Sequence, residues 1–274
     1  MEQPSADSGA VGWIYRNRPA RFVVSCVCRK TLLRLVGRYA DSRLSRIHIR
    51  RFAEKRGIAD WQGYGSLNAF FARPRADVAF PAREDTLGSP CQALVCAWDQ
   101  LRPDAVVQVK GVTYPLAELL DEDASRFEGG AAYCLRLESG HHHRVYCFDD
   151  GVLEEENSVP GRYDSVHAAA LPHVPGLYAK NHRVITRYRT EQFGTAMLVE
   201  VGAMFIGSVV RQAPLGEPVR RGDVKGWFCF GGSSVLLFFE PGRVRPDADL
   251  LAQTAAGIET AVDVGEKIGE KIPR

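Results

Sequence analysis

The chain has 274 residues, 45% hydrophobic and 25% charged, with a formal charge of +2. That composition excludes a disordered, collagenous or disulfide-stapled chain, and 35 basic against 33 acidic residues excludes a protein coated in nucleic acid. The mean hides an asymmetry: residues 1–56 carry 13 basic and four acidic side chains, a net +9, leaving −7 for the remainder. The seven cysteines form no C-x-x-C pair and no regular framework, which fits reduced thiols in a cytoplasmic protein. The longest early apolar run, 22–28, stops at Arg29-Lys30 and is too short to span a bilayer.

In chain order, residues 1–20 are rich in Gly, Ser, Pro and Asp and read as a flexible tail. From 21 to about 57, apolar residues such as Leu35, Tyr39, Leu44, Ile47 and Phe52 recur at three- and four-residue steps among arginines, the pattern of two or three amphipathic basic helices. Such a face suits either an anionic lipid surface or a helical cap packed on the rest of the protein. After Arg73-Pro74-Arg75 the texture changes to short β-branched and aromatic runs. Strands are expected at 93–97, 105–109, 133–137, 145–148, 183–187, 196–201, 205–210, 226–230 and 235–239, with one helix at 116–120 and mixed signals from 245 onward. The expected architecture is α+β: a tail at 1–20, a basic helical region at 21–75 and a β-rich domain at 76–274.

Two segments carry candidate chemistry. Phe230-Gly231-Gly232-Ser233-Ser234 precedes an apolar run, which alone reads as a turn feeding a buried strand; without a lysine and a helix after the glycines it is no phosphate loop. His141-His142-His143-Arg144 offers adjacent imidazoles that point in different directions, so no metal site is expected, and one of them suits proton transfer near neutral pH.

The order of these and other pieces resembles the phosphatidylserine decarboxylase proenzymes along nearly the whole chain. The resemblance runs from Leu35-Val36-Gly37 and Ile49-Arg50-Arg51-Phe52 through Ser66-Leu67-Asn68-Ala69-Phe70-Phe71-Ala72-Arg73-Pro74, Gly88-Ser89-Pro90 and Val109-Lys110-Gly111. It continues in Arg136-Leu137, His143-Arg144-Val145, Asp150-Gly151, Asn181 with Arg183-Val184, Val201-Gly202-Ala203, Ile206-Gly207-Ser208-Val209 and Gly231-Gly232-Ser233-Ser234. It implies an enzyme that cuts itself between Gly232 and Ser233 and turns Ser233 into a pyruvoyl group, whose ketone draws off the electrons released as carbon dioxide leaves. It also implies that His143 handles the proton in decarboxylation. The implied substrate is phosphatidylserine, the product phosphatidylethanolamine, and the setting cytoplasmic and peripheral to a membrane, with an anionic phospholipid surface as partner and a homodimer as the assembly.

Three departures stand out. Gln92 occupies the position of the aspartate in the family's S-P-A-D-G segment, and Tyr146 that of the second histidine in Y-H-R-V-H, where His142 in turn replaces the tyrosine. His182 replaces the glutamate of N-E-R. In the family that aspartate and second histidine serve self-cleavage. A tyrosine is only about 0.1% ionised at neutral pH, and in serine proteases exchanging the orienting aspartate for its amide costs about 10⁴-fold. His142 is then the candidate substitute base. A non-cleaving homologue that binds lipid or a partner, or a decarboxylase of a soluble amino acid, are the alternatives.

Overall fold

The computed structural model describes residues 8–17, 19–20, 30–102, 115–166, 170, 173–174, 176–203, 209–230 and 233–273. The expected strands at 105–109 and, in part, 205–210 lie outside them, as does Gly232. The helical front comprises α1 (Ser8–Arg16), α2 (Lys30–Asp41), a 3-10 turn at Arg43–His48, α3 (Ile49–Lys55) and α4 (Leu67–Phe71). Helix α1 falls within the stretch 1–20 read as a flexible tail, of which residues 1–7 lie outside the described ones. Tyr15 is buried in the main core and its hydroxyl accepts from Ser165 N at 2.8 Å, which ties the segment down despite its weak sequence signal.

The body continues with β1 (Thr86–Gly88), β2 (Ala93–Trp98), α5 (Leu116–Leu120), β3 (Ala131–Leu137), β4 (Arg144–Tyr146), β5 (Gly151–Val159), α6 (Leu177–Lys180), β6 (Arg183–Thr190), β7 (Thr195–Gly202) and β8 (Val209–Arg211). Then come β9 (Pro218–Val219), β10 (Val224–Phe228), β11 (Ser233–Phe239), β12 (Val244–Pro246), α7 (Ala248–Ala255), β13 (Thr260–Val262) and β14 (Lys267–Lys271). The α+β expectation holds, and the segment from 245 onward, ambiguous as sequence, forms four regular elements.

Eight strands form one sheet in the order β13-β2-β3-β11-β7-β6-β5-β9, and each ladder in it is antiparallel. Strand β11 lies inside it, with Ser233 opposite Leu137 of β3 and Gly202 of β7. Its run of seven buried residues is what a strand covered on both faces requires. Leu236 and Phe238 point to a core shared with α5, α6 and Tyr15. Val235, Leu237 and Phe239 point to a second core, closed over by two three-stranded sheets, β4-β10-β8 and β1-β14-β12.

The helical front is divided between packing and exposure. Ile49, Ala53, Leu67 and Phe70 form a small core with Phe52, Trp61, Tyr64 and Phe230, which packs α3 and α4 against the chain that leads to Ser233. Trp13, Leu35, Tyr39, Leu44 and Ile47 instead face outward, 40–75% exposed.

Candidate active site

The site is assembled from three loop ends. Ser66 caps α4, its Oγ accepting from Ala69 N at 3.2 Å, which fixes the turn that presents Asn68 and Phe71. Asn68 is a bridge: its amide nitrogen donates to Asp41 Oδ1 at 2.7 Å and its oxygen accepts from Phe230 N at 2.7 Å. The chain leading to Gly231-Gly232-Ser233 is thereby fastened to the helical front. Nothing in the residue types predicts this contact, although Asn68 sits inside the resembling segment.

The second component is the loop between β3 and β4. His141 N donates to Glu138 O and Glu138 N donates back to His141 Nδ1, closing a tight turn that drives the next two histidines inward. His142 and His143 are both fully buried. The His143 ring lies on Phe71, centroids 3.7 Å apart, and Phe71 in turn meets Phe230 at 5.2 Å. His143 Nδ1 donates to His141 O at 2.9 Å, which leaves Nε2 as the lone-pair nitrogen, buried and without a partner among the described residues. Burial holds this imidazole well below its ordinary range, so it is neutral.

His142 Nε2 and Tyr146 Oη share a hydrogen bond of 2.9 Å with their rings stacked. Burial, followed by the positive charges of Arg73, Arg75 and Arg144, pushes His142 down to about 3. Burial also raises the Tyr146 phenol. Both groups of this pair are neutral at pH 7.

The third component is the 89–92 turn. Ser89 Oγ donates to Cys91 O, Gly265 N donates to Ser89 O, and Tyr146 N donates to Pro90 O, so the turn is bolted to β4 and to the 263–266 loop. Gln92 Oε1 accepts from the backbone N–H of His142 at 2.8 Å. Three of the positions at which the chain departs from the family, Gln92, His142 and Tyr146, thus form one contiguous contact, while His182 lies apart from them.

Ser233 opens β11 with its Oγ fully buried and bonded to nothing among the described residues. Its pairing with Leu137 places it one short loop from the histidines, and Phe230, edge-on to Phe71, lies three residues before it in the chain. An unpartnered buried hydroxyl costs about 1–3 kcal/mol, a penalty a fold retains where the group has work to do. Asn181, His182 and Arg183 hold the backbone around α5, β5 and β7. Asn181 donates to Gly202 O at 2.9 Å and to Asp164 O at 2.8 Å, Arg183 donates to Leu119 O and Glu118 O at the end of α5, and His182 Nδ1 bonds Val159 O.

Comparison with known proteins identifies the family. Residues 67–270 match the family model described as phosphatidylserine decarboxylase. A phosphatidylserine decarboxylase proenzyme of Ruminiclostridium cellulolyticum is 38% identical over 259 residues, covering 90% of this chain and 86% of that protein. Those of Clostridium beijerinckii and Desulfitobacterium hafniense are 33% and 36% identical, covering 99% and 94% of this chain and 95% and 91% of theirs. The chain belongs to the phosphatidylserine decarboxylase family.

Proposed function

We propose that this protein is a pyruvoyl-dependent lyase that converts phosphatidylserine to phosphatidylethanolamine after cutting its own chain between Gly232 and Ser233. The observation that carries the reading is Ser233 itself, a buried hydroxyl without a partner among the described residues, which opens an interior strand directly after two glycines and opposite the end of β3, one short loop before the histidines. A pyruvoyl group made from Ser233 would supply a sink for the electron pair left when carbon dioxide departs.

The chain's own residues do the rest. Phe71 fixes the plane of the His143 ring, and the His141 carbonyl fixes its tautomer, so Nε2 is the atom that accepts or returns a proton. The groups at the positions that serve self-cleavage in the family are weak bases. Gln92 carries no charge and is committed to a backbone N–H, Tyr146 is a neutral phenol, and His142, the candidate substitute base, has little proton affinity at about 3. Self-cleavage is therefore slow, and uncut chain accumulates.

The exposed apolar side chains of the helical front alternate with the exposed Arg38, Arg43, Arg46, Arg50 and Arg51, which suits a face resting on anionic phospholipid. Among the described residues no helix is long and apolar enough to cross a membrane, and the reading is of an enzyme peripheral to it.

The test is the intact mass of purified protein over days, with Ser233→Ala as blank, followed by assay of phosphatidylserine vesicles. Fragments of about 26 and about 5 kDa are expected, in proportion to 232 and 42 of the 274 residues, the smaller blocked at its amino terminus. A chain that never divides and releases no carbon dioxide contradicts the reading.

A further inference from the structure

Two ionisable side chains in the interior take no part in the site described so far. Glu200 on β7 and Lys225 on β10 are both fully buried and ion-paired with each other. Lys225 lies where the β10–β4 register shifts, between Val224 and Gly226, an irregularity that re-aims a side chain out of the strand's alternation. Its ammonium also approaches Glu156 Oε2 at 3.4 Å, and Glu156 pairs with Arg211 at 3.2 Å. The pair occupies one carboxylate oxygen only. Glu200 Oε1 is buried with no partner among the described residues. Interior ion pairs return little net stability because desolvation offsets their attraction, and a bare oxygen makes this one costlier still.

The sheet register places Glu200 relative to Ser233. Glu200 is opposite Val235, and Gly202 is opposite Ser233, so Glu200 and Ser233 are diagonal neighbours on the same face of the β7–β11 ladder. Diagonal neighbours have their Cβ atoms roughly 7 Å apart, within the reach of a glutamate side chain toward a serine hydroxyl. Gly202 puts no side chain between them. Glu200 Oε1 and Ser233 Oγ are both buried and without a partner among the described residues, and both side chains belong to that face of the sheet.

We propose that Glu200, held in place by Lys225, is the general base that serves Ser233 in self-cleavage. The proposal rests on the pyruvoyl reading above and supplies the carboxylate that Gln92 does not. In the step, Ser233 Oγ gives its proton to Glu200 Oε1 as it bonds to the Gly232 carbonyl carbon. The bond from that carbon to the Ser233 nitrogen then breaks and the nitrogen takes the proton, so an amide and a hydroxyl become an ester and an amine with no other reactant consumed. Burial raises the Glu200 carboxyl above its ordinary range against the pull of Lys225, whereas His142 is pushed down to about 3, so Glu200 is the stronger of the two proton acceptors.

The experiment follows fragment formation by intact mass in wild type, in the neutral isosteric double variant E200Q/K225M, and in E200D, with thermal unfolding measured on each. Loss of a general base slows a reaction by about 10²–10⁴-fold, so the folded double variant should cut at least 100-fold more slowly. E200D keeps the ion pair but withdraws the carboxylate by one methylene, and should be at least tenfold slower. A folded double variant cutting within threefold of wild type overturns the proposal; should it not fold, E200D cutting at the wild-type rate does so. If wild type itself yields no fragments, the pyruvoyl reading fails and the base falls with it.

Discussion

Gln92, His142 and Tyr146 act as one unit, because each touches its neighbour through a named hydrogen bond. The double change Gln92→Asp with Tyr146→His should therefore speed formation of the two fragments far more than either change alone. A histidine at 146 without a carboxylate lacks the partner that fixes its tautomer, and an aspartate at 92 facing a phenol has no base to orient, so the gains are strongly non-additive. Fragment yield against time checks it; equal gains from a single change would show that the unit is not cooperative. Asn68 offers a second test at this scale. Replacing it by Ala strips the acceptor from Phe230 N and the donor from Asp41, which should cost about 1–3 kcal/mol in chemical denaturation and slow self-cleavage by loosening the approach to Ser233. These contacts are not legible in the sequence. The family resemblance marks His143 and Ser233 as reactive, but that Gln92 meets the backbone of His142, or that Glu200 shares a face with Ser233, depends on strand register. The one local hint was a glutamate inside the apolar run 196–201.

Among the elements, those whose apolar residues run together were legible: β2, β3, β7, β11 and α5 fall at or within about two residues of their expected bounds. Strand β5 was not, because its Glu154, Glu155 and Glu156 break any apolar run. Arg189 at 2.6 Å and Arg187 at 3.7 Å face them across the ladder from β6, while Arg211 at 3.2 Å reaches over from β8 of another sheet, and cross-strand charges of the first kind favour a sheet without leaving a period in the sequence. The amphipathic pattern of the helical front was visible, yet it could not say which side chains pack. Leu44 and Ile47, 72% and 75% exposed, are the ones left over. Replacing both by Gln should leave folding stability within about 0.5 kcal/mol, as exposed positions do, while weakening co-sedimentation with anionic vesicles at least tenfold. Raised salt should release the wild type as well, since the arginine contribution is screened. Equal sedimentation with neutral and anionic vesicles would contradict the role assigned to this face.

For the molecule as a whole, the buried neutral histidines set its response to acid. His142 titrates near 3 in the folded protein and near 6.5 when unfolded. Between those values the unfolded chain binds more protons than the folded one, so stability is full above about pH 6.5 and falls as pH drops toward 3, by about 1.4 kcal/mol per pH unit from His142 alone. His143, also depressed, steepens the fall. Denaturant midpoints at pH 7 and pH 5 should differ accordingly, and His142→Phe should flatten the difference. An unchanged midpoint across that window would mean that these imidazoles are solvated. A scission at Ser233 would have an architectural consequence of its own. The shorter fragment would own β11, flanked on both sides by β3 and β7 of the longer one, together with β12, β13 and β14, so the two pieces would be interlocked through the middle of the sheet. The cut then works as a ratchet on assembly: it can follow folding but not precede it, the pieces travel together in native buffers, and protein once cut, unfolded and diluted should recover far less of its native circular dichroism than the uncut chain treated alike.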